Sequence, residues 1–265
     1  MEAFKDKVIW ITGASSGIGE ALALQLAKQG ARLILSARRE EELKRVGALT
    51  KLPELDLMIL PFDLNDTSKA SALSAQIINK FGKIDVLINN GGQSQRALAA
   101  ETDETTERKL MEVNYFSAVN ISKAVLPYML RSKSGQIIVI SSVAGKFGFY
   151  LRSSYSAAKH ALHGYFESLR LENETKGLKV LMVCPGKINT NVSVNASSSN
   201  GNANGIMEAE HENAMSAAEC ADQIIKGILA GKEEILIGGK ELMAIKIKRF
   251  FPNWFSKIIR KQAPK

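Results

Sequence analysis

The feature that most constrains this chain is a short apolar run, Lys7–Thr12. It passes directly into Gly13-Ala-Ser-Ser-Gly17-Ile-Gly19 and then into a helical stretch from Ile18 to Lys28. A run of that length bounded by turn residues reads as a strand. Glycines at 13, 17 and 19 permit a tight turn and a close backbone approach to a ligand. The N-terminus of the helix that follows attracts negative charge. Strand, glycine turn and helix form the setting in which a pyrophosphate is cradled. The spacing differs from the commoner Gly-x-Gly-x-x-Gly, so a plain glycine-rich turn is the rival reading of these residues alone.

The alternation continues along the chain. Ala31–Ala37, Leu57–Phe62, Lys83–Asn89, Gln136–Ile140, Lys179–Val183 and Glu234–Ile237 read as further strands with helical stretches between them. This predicts an α/β chain with one doubly wound Rossmann domain, a parallel seven-stranded sheet in the order 3-2-1-4-5-6-7 with helices on both faces. Ligands of such sheets bind beyond the carboxyl ends of the strands, and the polar motifs of this chain fall there. The second strand ends in Ala37-Arg38-Arg39, where an acid would bind the 2′-hydroxyl of NAD. Two guanidiniums suit a 2′-phosphate and point to NADP(H). The alternative is a solvated pair matched by Glu40, Glu41 and Glu42. The third strand ends in Asp63-Leu64; Asp63 either accepts from an adenine amino group or caps a helix beginning near Thr67. The fourth runs into Asn89-Asn90-Gly91-Gly92, whose bare backbone offers a rest for a flat ring.

The second half carries the chemistry. Thr102 or Asp103 caps a long helix predicted to reach about Leu130, with Asn114 in its middle. Asparagine is a poor mid-helix residue. It is either a helix-bonded amide or the mark of a kink whose freed carbonyl binds a water. Ser142, at the end of the fifth strand, precedes Tyr155 by 13 residues. Ser153-Ser-Tyr-Ser-Ala-Ala-Lys159 opens a helix whose apolar positions include Ala158, Leu162, Phe166 and Leu169, with Ser153 or Ser154 as its cap. Tyr155 and Lys159 are four apart and share one face. An ammonium beside a phenol favours phenolate and tunes the tyrosine for general acid–base work. An ordinary exposed pair is the bland reading of that spacing. Cys184 reads as a small core residue, and His160 and His163 as packed or exposed.

Taken together, Thr12-Gly13-x-x-x-Gly17-x-Gly19, Asp63, Asn89-Asn90-x-Gly92, Asn114, Ser142, Tyr155-x-x-x-Lys159 and Pro185-Gly186 with Thr190 resemble the short-chain dehydrogenase/reductase family over residues 5–240. Gly91 stands where that family usually has alanine. The continuation Gln93-Ser94-Gln95-Arg96 resembles the dehydrogenase/reductase member 7 branch, some of whose members associate with membranes. The resemblance implies that Tyr155 exchanges a proton with a carbonyl or alcohol oxygen and that Lys159 lowers the phenol pKa and holds the nicotinamide ribose. It implies that Ser142 binds the substrate oxygen and that Asn114 holds a water. For the cofactor it implies contacts from Gly13, Ser15, Ser16, Gly17, Ile18 and Gly19, from Arg38, Arg39, Asp63 and Leu64, and from Asn90, Gly91, Pro185, Gly186, Ile188 and Thr190. It also implies dimers or tetramers through the helices carrying Asn114 and Tyr155. A non-catalytic NADP-binding sensor and a membrane-surface interaction module are the rival functions on the same fold.

Substrate choice is expected of the loop at about 191–214, whose Ala196–Gly205 stretch is small, polar and predicted to be mobile. Composition matters most at the end of the chain. Of the formal net charge of +8, residues 240–265 supply seven, with eight lysines and arginines against Glu241. The body is nearly neutral, so a nucleic-acid partner is not expected. Within that tail, 241–265, Phe250, Phe251, Trp254, Phe255, Ile258 and Ile259 recur in pairs among cations. This amphipathic stretch suits an anionic membrane surface, contacted through 243–262. Packing on a second subunit or over the substrate pocket is the alternative. Two lone cysteines, no CxxC pair and no apolar run of spanning length predict a cytoplasmic chain with no metal site and no cleaved leader.

Overall fold

A computed structural model describes residues 3–190, 196–203 and 214–262. Seven strands, β1 (Val8–Thr12), β2 (Arg32–Ser36), β3 (Leu57–Ile59), β4 (Val86–Asn89), β5 (Gly135–Ile140), β6 (Leu178–Pro185) and β7 (Glu234–Ile237), form one sheet. All pairings are parallel, and the order is β3-β2-β1-β4-β5-β6-β7, as the sequence predicts. Two-residue strands at Ile188–Asn189 and Met215–Ser216 pair separately.

The layers follow from the period of two along each strand. From β1, Ile9 and Ile11 face one side and Val8 and Trp10 the other. The first side is covered by α1 (Gly17–Ala27), α2 (Glu40–Thr50) and α7 (Ala217–Leu229), through Leu22, Leu26, Leu43, Val46 and Ile224. The second is covered by α3 (Ala70–Phe81), α5 (Ser117–Arg131) and α6 (Ser153–Asn173), through Ile77, Ile121, Val125, Leu162 and Phe166. Burying each such side chain contributes roughly 1.5–3 kcal/mol. Both faces are thus closed, and the carboxyl ends of the strands remain for ligands.

Three boundaries differ from the sequence reading. β3 stops at Ile59 because Pro61 interrupts the ladder, although the Leu60 and Phe62 amides still donate to Leu35 and Ala37 at 2.9 and 3.1 Å. α3 begins at Ala70, and Asp63 does not cap it; its carboxylate instead accepts from the Asn65 amide at 3.0 Å. The long helix starts with Asp103 accepting from Thr106 N at 2.6 Å, and runs as α4 (Glu104–Met111), a π turn at Glu112–Phe116, and α5. Asn114 lies in that π turn, and its Nδ2 donates to the Leu110 carbonyl four residues earlier at 2.9 Å, which is the helix-bonded reading of this residue.

The tail forms α8 (Leu242–Phe250) and α9 (Pro252–Ile259), which pack back on the body. Phe255 meets Phe147 edge-on at 5.0 Å, and Lys248 Nζ donates to the Lys146 carbonyl at 2.8 Å. Among the described residues no helix is long and apolar enough to cross a membrane. Of the Ala196–Gly205 stretch expected to be mobile, residues 196–203 are described, and there Ala196 and Ser197 are buried, with Ser197 bridged to Gln95 and Ala203; 204 and 205, like 191–195, lie outside the described residues.

Candidate active site

A cleft of about 500 Å³ runs along the carboxyl ends of the strands. Its first wall is the glycine turn. Gly13 has φ +65°, and a Cβ there would lie 2.7 Å from the Gly91 Cα. A Cβ on Gly19 would fall 2.3 Å from the Gly13 carbonyl oxygen. The Thr12 hydroxyl accepts from the Asn90 and Gly91 amides at 3.0 and 3.1 Å, and Asn90 Nδ2 donates back to the Thr12 and Gly13 carbonyls at 3.0 and 3.1 Å. The ends of β1 and β4 are therefore knitted into one rigid floor.

Gly13, Ser15, Ser16, Gly17 and Ile18 line the cleft, with Arg38, Arg39, Asp63, Leu64, Asn90 and Gly91 beyond them. Gly19 lies behind this lining and serves the close packing of the turn. Gly91 has a local reason to lack a methyl group, because a Cβ would sit 2.4 Å from Leu64 Cδ1. Arg38 and Arg39 are exposed at the end of β2. The acids that follow are committed elsewhere: Glu40 and Glu41 pair with Lys44, and Glu42 with Arg45. Arg45 also binds Glu20 at 2.8 Å, so it is held while Arg38 and Arg39 have no acidic partner among the described residues.

The far end of the cleft gathers Asn114, Ser142, Tyr155 and Lys159, with Pro185, Gly186, Ile188 and Thr190 opposite. The Asn114 amide clamps the loop after β4: Oδ1 accepts from Gln93 N at 3.1 Å, and Nδ2 donates to Gln93 O and Leu110 O at 2.9 Å each. Ser142 Oγ accepts from Ala144 N at 3.1 Å and donates to the Pro185 carbonyl at 3.4 Å, close beside the Tyr155 phenol. Burial raises the phenol's pKa, while the neighbouring Ser142 hydroxyl and the Arg152 charge oppose that shift. Lys159 Nζ lies 5.7 Å from the Tyr155 ring centroid and donates to the Ile140 carbonyl at 2.8 Å. Its own pKa is pushed down to about 8, chiefly by burial. The ammonium thus lies on the same side of α6 as the phenol, as the spacing predicts, yet burial dominates at Tyr155 and the charge that opposes it is that of Arg152.

Among sequences of known type, the profile of the family described as short chain dehydrogenase matches residues 7–201. The chain belongs to the short chain dehydrogenase family. It is 37% identical over 266 residues to "Dehydrogenase/reductase SDR family member 7" of Homo sapiens, covering 98% of this chain and 78% of that protein. It is 36% identical to "Dehydrogenase/reductase SDR family member 7B" of Mus musculus, covering 98% and 82%. A solved short-chain dehydrogenase from Streptomyces avermitilis superimposes with a TM-score of 0.80 at 29% identity, covering 97% of this chain and 99% of that one. This short chain dehydrogenase is therefore a member of an oxidoreductase family that uses nicotinamide cofactors.

Two site features escape a reading of the sequence. The first turn of α6 is not capped by Ser153 or Ser154; Arg152 occupies the cap position and makes no side-chain capping bond to that turn. Gln95 supplies the bonds instead. The second is the set of partners around His163, which is packed as one of its two readings has it: Nε2 lies 3.1 Å from Ser141 Oγ and 3.7 Å from Cys184 Sγ, while Nδ1 faces Lys146 Nζ at 3.3 Å. His163, Cys184 and Glu234 converge, but Lys146 binds Glu234 and fills a cation's place. Burial also pushes the Cys184 thiol up to about 12, against the thiolate a metal requires.

Proposed function

We propose that this chain is an NADP(H)-dependent oxidoreductase that interconverts a carbonyl and a primary or secondary alcohol on a lipophilic substrate. The observation that carries the proposal is the meeting of Ser142, Tyr155 and Lys159 at one end of a cleft that begins at the glycine turn. The cleft fits a dinucleotide, because its floor is backbone at the points where a Cβ would intrude. Gly13, Ser15, Ser16, Gly17 and Ile18 would hold the pyrophosphate at the helix N-terminus. Asp63 and Leu64 would flank the adenine, Arg38 and Arg39 the 2′-phosphate, Asn90, Gly91 and Lys159 the nicotinamide ribose. Ile188 and Thr190, beside Pro185 and Gly186, would fix the carboxamide. The two unengaged guanidiniums support NADP(H) over NAD(H).

When bound, the nicotinamide supplies or accepts a hydride. Tyr155 gives its phenolic proton to the carbonyl oxygen in reduction and recovers it in oxidation. A phenol raised by burial stays protonated near neutral pH, which is the form reduction starts from. Ser142 binds the same oxygen and does so most strongly as negative charge grows there. Lys159 supports the phenolate left behind, and Asn114 holds a water at the π turn. Tyr155→Phe is expected to keep NADPH binding and to lose turnover by about 10²–10⁴-fold across a panel of lipophilic ketones and aldehydes. Near-normal rates would refute the proton-transfer role.

The tail supports a peripheral membrane contact through 243–262. Met243, Phe250, Phe251 and Trp254 stand exposed beside Lys246, Arg249 and Lys257, a surface suited to anionic lipid on the cytoplasmic side. We assign homodimers or homotetramers to the helices carrying Asn114 and Tyr155, where Phe116 and Leu171 are exposed. A monomer in light scattering would contradict that assignment.

A further inference from the structure

Gln95 sits in the loop between β4 and α4, is fully buried, and lies outside the cleft lining. Every polar atom of its amide is used. Oε1 accepts from Ser154 N at 2.9 Å and Tyr155 N at 3.2 Å, while Nε2 donates to Thr102 Oγ1 at 3.1 Å and Ser153 Oγ at 3.4 Å. A helix begins with backbone N–H groups that lack partners, and a buried start needs acceptors for them. α6 brings none of its own. Its acceptor is a side chain that precedes Tyr155 by 60 residues. The backbone around Gln95 is held in turn by the substrate loop: Ser197 N donates to Ser94 O at 2.9 Å, and Arg96 N donates to Ser197 O at 2.7 Å.

We propose that Gln95 is a positioning residue for Tyr155, fixing the first turn of α6 so that the phenol stays opposite Ser142. The inference rests on the proton-transfer reading of Tyr155. One of its bonds is to the Tyr155 amide itself, so slack in that turn moves the phenol directly. Displacements of about 1 Å at a reacting group cost on the order of 10²-fold in rate. Because Ser197 straps the same loop, chain movement at the substrate loop is felt at Tyr155 through Gln95.

The test compares wild type, Gln95→Leu, Gln95→Glu and Tyr155→Phe. Leucine removes both acceptor and donors; glutamate keeps an acceptor, in a place the helix dipole favours. Hydrogen exchange of the Ser154 and Tyr155 amides is read beside NADPH affinity and the kcat and KM for 4-nitrobenzaldehyde. In Gln95→Leu, exchange at those two amides is expected to speed up about tenfold or more and kcat to fall about 10–100-fold, with KM and NADPH affinity within about twofold. Gln95→Glu is expected to restore both slow exchange and kcat to near wild type. Unchanged exchange in Gln95→Leu overturns the proposal. So does a parallel loss of kcat, KM and NADPH affinity without rescue by glutamate, which would mark general unfolding. Retained turnover in Tyr155→Phe would sink the reading of Tyr155 instead, and the exchange result would still decide the capping role.

Discussion

Lys159 shows how far one residue's chemistry can be taken. It is an ammonium at 4% exposure, with the Ile140 carbonyl as a partner. Its pKa is about 8 in the fold against 10.5 for the free side chain. Between those values the unfolded chain binds more protons than the folded one, so stability must rise with pH across that window. The rise is on the order of 3 kcal/mol. Denaturant melts of the cofactor-free protein at the two ends of the window should show it, and Lys159→Met should lack it. A wild type that loses stability relative to Lys159→Met over that window would contradict the assigned burial. The spacing of Tyr155 and Lys159 was legible because four residues make one turn. The direction of the phenol's shift was not, because desolvation depends on what the rest of the chain packs around it. Gln95 was equally hidden, since a cap supplied across the fold leaves no local pattern.

At the scale of elements, the tail gives the clearest division of labour. Phe255 is buried against Phe147, itself stacked on Phe149 at 4.7 Å, in the segment just after Ser142. Trp254, one residue earlier, is 56% exposed. Phe255→Ala should therefore cost about 3–5 kcal/mol of stability and loosen the tail. Trp254→Ala should stay within about 0.5 kcal/mol and weaken binding to phosphatidylserine vesicles. Equal losses of stability in both would mean that α9 packs differently. The amphipathic pattern predicted a covered face but not what covers it; part of the answer lies within the same chain. The strands were legible as apolar runs with polar ends. Their lengths were not, because Pro61 ends the β3 ladder inside a run that otherwise reads as continuous. Asn114 was legible as an odd residue inside the helix, but whether its amide bonds the helix or marks a break was not, and the structure shows both a π turn and an amide bonded to Leu110 O.

For the whole molecule, the sheet order and the concentration of polar residues at the strand ends reduce to one consequence. The seven parallel strands deliver the glycine turn, Arg38, Asn90, Ser142 and, through α6, Tyr155 to a single cleft. Agreement among separate strands made the fold readable from the sequence, whereas the loop expected to choose the substrate, at about 191–214, is small and polar and carries no pattern that reports its shape. The net positive charge belongs to the tail, so the cofactor contact proposed for the arginines at the end of β2 would be local and would not draw on a general basic field. The measurement that tests the account most directly is a fluorescence titration of the purified protein with NADPH and NADH side by side, repeated with Arg38→Ala. The account predicts NADPH binding at least about tenfold tighter than NADH, with most of that preference lost in the variant. NADH binding as tightly as NADPH, or an Arg38→Ala variant that weakens both equally, would contradict it.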